Sequence, residues 1–326
     1  QWLGCGVPLA SIAVAPVVLL YIIERIRDIR AGHDPSVRIK TAFVKQRQVQ
    51  LTIDKGMSGM TYETGMYCML KAPDISDFEW HPFTIASGGG RSEFQVLFAI
   101  VGDWTTQLSE LIKEAQKNGS PYPKICVRGG YGAPAQGMRD KKHIVMVGGG
   151  VGATPFLSFL SNMCNSVQSG EKDQFDGVES AVFYWVSREA DDFAWVNQYS
   201  SIINSTPTLK DRVSIRLCLT KALEATATGD CSATEIALFW LGVQIAVTKY
   251  KSEELSKELG APTQFGRPNW TKEFSDHVNK LSKKIAGDIE VSVFACGNQM
   301  LVNALEESCA TLTDKRVKMR LYAEEF

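Results

Sequence analysis

Two stretches of this chain carry residue types that could do chemistry. His81-Pro82-Phe83-Thr84-Ile85-Ala86-Ser87 sets an imidazole, a rigid proline, an aromatic ring and two hydroxyls along one short run. It reads as a strand end able to hold a flavin. Gly148-Gly149-Gly150-Val151-Gly152, followed by Ala153-Thr154-Pro155, reads as a turn between a strand and a helix. Without Cβ atoms the backbone can approach a pyrophosphate, and the helix start offers N–H donors with partial positive charge. Pro155 suits the first helical turn, where its missing donor costs nothing. A glycine run alone is a weak signal. Ile144-Val145-Met146-Val147 before it and a helical pattern after it make it stronger. Together the two stretches predict hydride passing from a nicotinamide to a flavin.

Further candidates lie downstream. The apolar run Val182–Val186 ends in Ser187-Arg188. NAD-selective sites place an acid near this point, whereas a hydroxyl followed by a guanidinium suits a 2′-phosphate and therefore NADPH. Glu189 beside it is a contrary sign, and a solvated arginine at a strand end is the bland reading. Cys296-Gly297 closes another strand, where ligands sit in parallel sheets; taken alone, a buried structural cysteine is the commoner explanation. Trp104 and Thr105 open a helix whose N-terminus could meet a second phosphate pair, although Asp103 or Thr105 could be only an N-cap. Phe326 could lie over a flavin ring.

These residues need elements to position them. From Ser36 to about Gly132, β-rich runs at 37–43, 49–53, 66–70, 83–86, 94–101 and 125–128 alternate with turns, and one helix is expected over 105–117. Six strands and a helix predict a small antiparallel barrel. From His143 the rhythm becomes strand–helix alternation. Strands are expected at 143–147, 181–186, 213–219, 291–295 and 319–322, with helices near 155–167, 193–203, 274–285 and 299–312. That order predicts a doubly wound parallel sheet. The organisation expected is residues 1–30, 31–140 and 141–326, with an irregular insertion at about 222–268. Within it, Ile236–Val247 is too short for a span and reads as an amphipathic helix.

Composition narrows the class. The chain has 326 residues, a net charge of −1 and 22% charged residues, so nothing pulls it toward nucleic acid. The eight cysteines form no Cys-x-x-Cys pair and the four histidines no haem-ligand pair, so no metal site is expected. Leu3 to Ile23 hold no charge, a length near the ~20 residues a membrane helix needs, and Arg25, Arg27 and Arg30 follow. A transmembrane helix with a cytosolic basic end is expected, at the front of the C-terminal piece of a larger membrane protein.

These motifs, in this order, resemble the C-terminal dehydrogenase half of the NADPH oxidase family, within the ferredoxin–NADP reductase superfamily. The carriers are Pro16–Arg25, His81–Ser87, Ile100–Thr105, Gly149–Phe156, Phe183–Trp185 with Arg188, Phe265–Trp270 and Phe294–Gly297. Gly-Asp-Trp-Thr and Gly-Arg-Pro-Asn-Trp are its most specific strings.

The resemblance implies that His81, Pro82, Phe83 and Thr84 hold the FAD ring and ribityl chain, with Ile85 and Ser87 in the same motif. Trp104 and Thr105 lie toward the phosphate–adenosine side. Gly149, Gly150, Gly152, Thr154 and Pro155 take the NADPH pyrophosphate, and Arg188 and Arg267 bracket the 2′-phosphate. Cys296 and Gly297 lie near the nicotinamide, and Phe326 on the flavin face. Haem belongs to a membrane half outside this chain; oxygen is the acceptor, superoxide the product, and regulatory subunits possible partners. A ferric or other metal reductase, or a degenerate regulatory module, are the rivals. Ala99, Arg128–Gly132 and Tyr322–Glu325 depart from the family pattern.

Overall fold

The computed structural model describes residues 9–30, 34–45, 47–89, 92–170, 174–220, 253–254 and 256–325. Two compact units result. The first holds residues 1–61, 67–83 and 91–130; the second holds 62–66, 84–90 and 131–326. The division therefore cuts the flavin motif between Phe83 and Thr84.

In the first unit the strands β1 (Arg38–Lys45), β2 (Gln48–Asp54) and β5 (Glu93–Ala99) form one sheet, in the order β1-β2-β5 and antiparallel throughout. β4 (His81–Thr84), β3 (Tyr67–Lys71) and β6 (Cys126–Tyr131) form a second sheet, in the order β4-β3-β6. The six strands expected of a barrel are thus two three-stranded sheets. Val49 faces Phe98, Leu51 faces Val96 and Ile53 faces Phe94, and all six are buried. Alternation at period two puts this set on one face, so a one-residue slip would expose it all. Each such side chain contributes about 1.5–3 kcal/mol on burial. Helix α2 (Asp103–Asn118) buries Leu108, Ile112 and Ala115, spaced three or four apart on one stripe.

Helix α1 (Leu9–Arg30) also belongs to this unit. Its apolar side chains from Val17 to Ile23 are exposed. Among the described residues no helix is long and apolar enough to cross a membrane. The span expected over Leu3–Ile23 is not met by the described part. The helix runs on past its uncharged stretch into Glu24, Arg25, Arg27, Asp28 and Arg30, and residues 3–8 lie outside the described residues.

The second unit is built on six parallel strands. β7 (His143–Gly149), β8 (Ser180–Ser187), β9 (Val213–Leu219), β10 (Thr263–Phe265), β11 (Ile289–Gly297) and β12 (Val317–Glu325) lie in the order β10-β9-β8-β7-β11-β12. The chain moves outward from β7 through β8 and β9, then returns to place β11 on the other side of β7. The strand order therefore reverses between β7 and β11, and ligands of open α/β sheets bind at the carboxyl ends of such a pair. Helices α3 (Thr154–Ser169), α4 (Asn197–Ser205), α5 (Pro207–Arg212), α6 (Trp270–Ser282) and α7 (Gln299–Leu312) cover the sheet. The helix expected at 193–203 is a 3₁₀ segment, Ala190–Val196, followed by α4. The helix proposed at Ile236–Val247 lies outside the described residues.

Candidate functional site

The glycine turn is set by its neighbours. β7 ends at Gly149, a 3₁₀ turn covers Gly150–Ala153, and α3 starts at Thr154. Gly150 has φ +55°, where a side chain is strained. Gly152 is excluded from substitution for a different reason. A Cβ there would come within 2.3 Å of the Cys296 carbonyl oxygen, so only a bare Cα lets the turn approach the end of β11. The indole of Trp185, buried on β8, donates from Nε1 to the Gly150 carbonyl at 2.8 Å and holds the turn from below. Thr154 spends its hydroxyl on the Val151 carbonyl at 3.0 Å, and Pro155 occupies the first turn of α3. No side chain caps α3, so its first N–H groups stay available to an anion.

Cys296 is buried one residue from the end of β11, paired with Gly148 of β7 on one side and Glu324 of β12 on the other. Its Sγ lies 3.8 Å from Glu324 Oε2. Burial, then the nearby carboxylate, push the thiol's pKa up and keep it protonated. Burial also raises Glu324, against the pull of the Ala135 amide and the thiol. Glu324 Oε1 is buried with no partner among the described residues. The structure thus brings the glycine turn, Cys296, Gly297 and Glu324 together. Glu324 was missed as a site residue: only the β11–β12 register reveals it. Phe326 lies outside the described residues.

The proposed 2′-phosphate residues share this sheet edge. Ser187, Leu219 and Phe265 line up across β8, β9 and β10. Arg188 and Arg267 follow one and two residues later. Neighbouring strands lie about 4.8 Å apart, so the two backbones stand roughly 10 Å apart across β9. Both arginines are exposed, and neither makes an ion pair among the described residues. Ser187 differs from expectation. It is buried, and its hydroxyl donates to the Asp192 carboxylate.

In the first unit, β4 places His81 and Phe83 on one face. His81 lies 4.4 Å from the Trp104 ring and Phe83 lies 4.7 Å from Phe98, centroid to centroid. This is an aromatic wall of the type that holds a flat ring system. Trp104 Nε1 is buried without a partner among the described residues, a donor suited to a bound polar group. Pro82 is exposed. Thr105 is committed to its own helix: its hydroxyl oxygen lies 3.1 Å from the Val101 and Gly102 amides and caps α2. The departure at Arg128 has a physical account, since its guanidinium sits 4.4 Å from the Trp80 ring.

The rest of the flavin motif belongs to the second unit. Thr84 is half-buried and Ile85 is buried, its amide donating to Met66. Ser158 of α3 donates to the Ser87 carbonyl at 2.9 Å, and the Gly88 amide donates to Ser161 at 3.1 Å.

A bare-glycine cradle at a switch point, with uncapped helix amides above it, accommodates a pyrophosphate, and the aromatic wall accommodates a flavin. This defines the class, a dinucleotide-binding oxidoreductase with a ferredoxin reductase-like fold. Residues 141–310 match the ferric reductase NAD-binding domain and residues 36–135 match an FAD-binding domain. The chain belongs to the ferric reductase NAD-binding domain family. It is 30% identical to the putative respiratory burst oxidase homolog protein H of Arabidopsis thaliana, over 91% of this chain and 38% of that protein. It is 29% identical to NADPH oxidase 1 of Rattus norvegicus, over 96% of this chain and 52% of that protein. The chain thus spans about half or less of these relatives' lengths. A ferredoxin-NADP+ reductase from Plasmodium falciparum, solved in complex with 2′P-AMP, superposes with TM-score 0.53 at 14% identity, covering 88% of this chain and 95% of that one. That likeness gives the fold. The resemblance to the dehydrogenase half of NADPH oxidases, the oxidoreductase class, and FAD with a nicotinamide dinucleotide as cofactors are borne out.

Proposed function

We infer that this chain is the electron-input half of a superoxide-generating NADPH oxidase. The observation that supports it most is the packing of Gly152 against Cys296 at the β7–β11 switch point, with Glu324 behind the thiol. Bound FAD supplies hydride acceptance from NADPH and release of single electrons. The chain's residues position and shield. The amides of Gly150 to Ala153 and the start of α3 take the pyrophosphate, and Arg188 with Arg267 take the 2′-phosphate. Cys296 gives the nicotinamide a small, neutral seat, which the raised thiol pKa preserves. Glu324 holds its second oxygen toward a polar group of the ligand. His81, Pro82, Phe83 and Thr84 hold the isoalloxazine and ribityl chain, and Trp104 lies toward the phosphate–adenosine side, where its buried indole N–H can donate to a polar group.

In the full-length protein the electrons continue to haem in a membrane half and then to oxygen. The division into an anchor at 1–30, an FAD domain at 31–140 and an NADPH domain at 141–326 belongs to the same reading, as do a membrane location for the exposed apolar face of α1, a cytosolic body and regulatory subunits. The test is to reconstitute the chain with FAD and add NADPH anaerobically: the flavin band bleaches. An unchanged band overturns the reading. A second reading, transfer to ferric ion, is favoured by the ferric reductase family match. Superoxide formation against ferric reduction in the full-length protein separates the two.

A further inference from the structure

The carboxyl edge of the second unit carries a contact that the dinucleotide reading leaves unused. Arg267 Nη1 lies 3.4 Å from the Met300 sulfur. Hydrogen bonds of neighbouring residues place both backbones. Arg267 sits between Gly266, whose amide donates to the Leu219 carbonyl at 2.8 Å, and the buried Pro268. Met300 is in the first turn of α7, where Asn298 Oδ1 accepts from the Leu301 amide at 3.0 Å. A thioether is a weak acceptor, so this contact orients the guanidinium and leaves its charge available to a phosphate. Met300 is 64% exposed, so its side chain is within reach of a dissolved oxidant.

We propose that Met300 is an oxidation site through which peroxide weakens the hold of Arg267 on the 2′-phosphate. This rests on the reading of the chain as a superoxide source. Two superoxide ions and two protons give hydrogen peroxide and oxygen. A lone pair of the Met300 sulfur then attacks one peroxide oxygen. The S–O bond forms, the O–O bond breaks and water leaves; the sulfur is oxidised by two electrons and the peroxide is reduced. The sulfoxide oxygen is a strong acceptor one bond from a sulfur already beside Nη1. It draws the guanidinium's donors to itself and away from a phosphate. Methionine sulfoxide is reduced enzymatically, so the change is reversible. The outcome is product feedback on the NADPH site that spares ligands lacking a 2′-phosphate.

The experiment treats the FAD-reconstituted full chain with dilute peroxide. It maps sulfoxides by peptide mass spectrometry and measures affinity for adenosine 2′,5′-bisphosphate and for 5′-AMP by calorimetry. Met300 is expected to convert while the buried Met138, Met146 and Met163 do not. Affinity for the bisphosphate is expected to fall about tenfold, the loss of one charge-assisted contact, with 5′-AMP binding unchanged. Met300→Gln reproduces the fall without peroxide, and Met300→Leu shows no response to peroxide relative to its own untreated state. The proposal is overturned if Met300 stays a thioether while Met57, 87% exposed, converts fully. It is overturned equally if Met300 converts with no change in affinity, or if Met300→Leu responds like the parent chain. Arg267→Ala distinguishes the two levels. If that variant weakens both ligands alike, the 2′-phosphate reading of Arg267 has failed and the proposal with it. If it weakens the bisphosphate alone, a negative peroxide result falls on Met300 only.

Discussion

Cys296 and Glu324 lie opposite each other on adjacent parallel strands, sulfur to carboxylate at 3.8 Å, two residues from the end of the chain and one from the end of β11. The pairing places a neutral thiol and a carboxylate with one oxygen unpartnered among the described residues at the sheet's switch point. Glu324→Ala removes the carboxylate and leaves the glycine cradle intact. FAD content and NADPH binding are expected to persist, while anaerobic bleaching of the flavin by NADPH slows about a hundredfold, close to 2.7 kcal/mol of lost transition-state stabilisation. An unchanged bleaching rate would remove Glu324 from the reaction.

Arg188→Ala tests cofactor choice. With the guanidinium gone, the KM for NADPH rises by an amount corresponding to about 1.5–3 kcal/mol, and the KM for NADH stays nearly constant. Equal losses for the two cofactors would show that Arg188 does not meet the 2′-phosphate. Ser187→Ala is expected to act differently: its hydroxyl serves Asp192, so the variant loses stability and leaves selectivity alone.

Gly150 and Gly152 separate strain from space. Alanine at Gly150 meets no neighbour within 4 Å and costs only the positive φ, roughly 1 kcal/mol. Alanine at Gly152 collides with the Cys296 carbonyl and must push the turn away from β11. Gly150→Ala should keep dinucleotide binding with a slightly lower urea midpoint, whereas Gly152→Ala should lose binding. Comparable binding in both variants would contradict the cradle.

How much of this was readable in the sequence depends on the range of the interaction. Strands 143–147, 181–186 and 213–219 were legible because a parallel strand buried on both faces becomes a continuous apolar run. Helix 299–312 was legible from its own periodicity, and its observed limits are the same. β10, only three residues long, is too short to leave a pattern. The register that pairs Cys296 with Glu324 depends on which strands become neighbours, and no local window contains that. The same holds for Arg128 over Trp80, and for the Ser87–Gly88 backbone held by Ser158 and Ser161. Ser187 was assigned from residue type alone, and a partner five residues on took its hydroxyl.

Two buried histidines outside the site give the second unit an acid limit. His143 opens β7 and His277 lies on α6; His143 Nδ1 and His277 Nε2 have no partner among the described residues. Burial, then His143 and Lys280, depress the pKa of His277 to about 4. Burial lowers His143 as well, opposed by Glu179 and reinforced by Lys142. A histidine with a depressed folded pKa stays neutral in the fold and takes up a proton on unfolding. Its contribution is therefore complete above about pH 6.5 and is lost as pH falls from there toward 4. For His277 the loss is at most about 3 kcal/mol. Glu179 is held below the usual carboxylate range by Lys142, so its own loss begins only at the acid end of that window. The urea midpoint should thus be flat from pH 8 to 7 and drop between 6.5 and 4.5. His277→Leu should flatten that drop and leave FAD and NADPH binding at pH 7.5 intact. If the variant keeps the parent's slope, the acid sensitivity lies elsewhere in the chain.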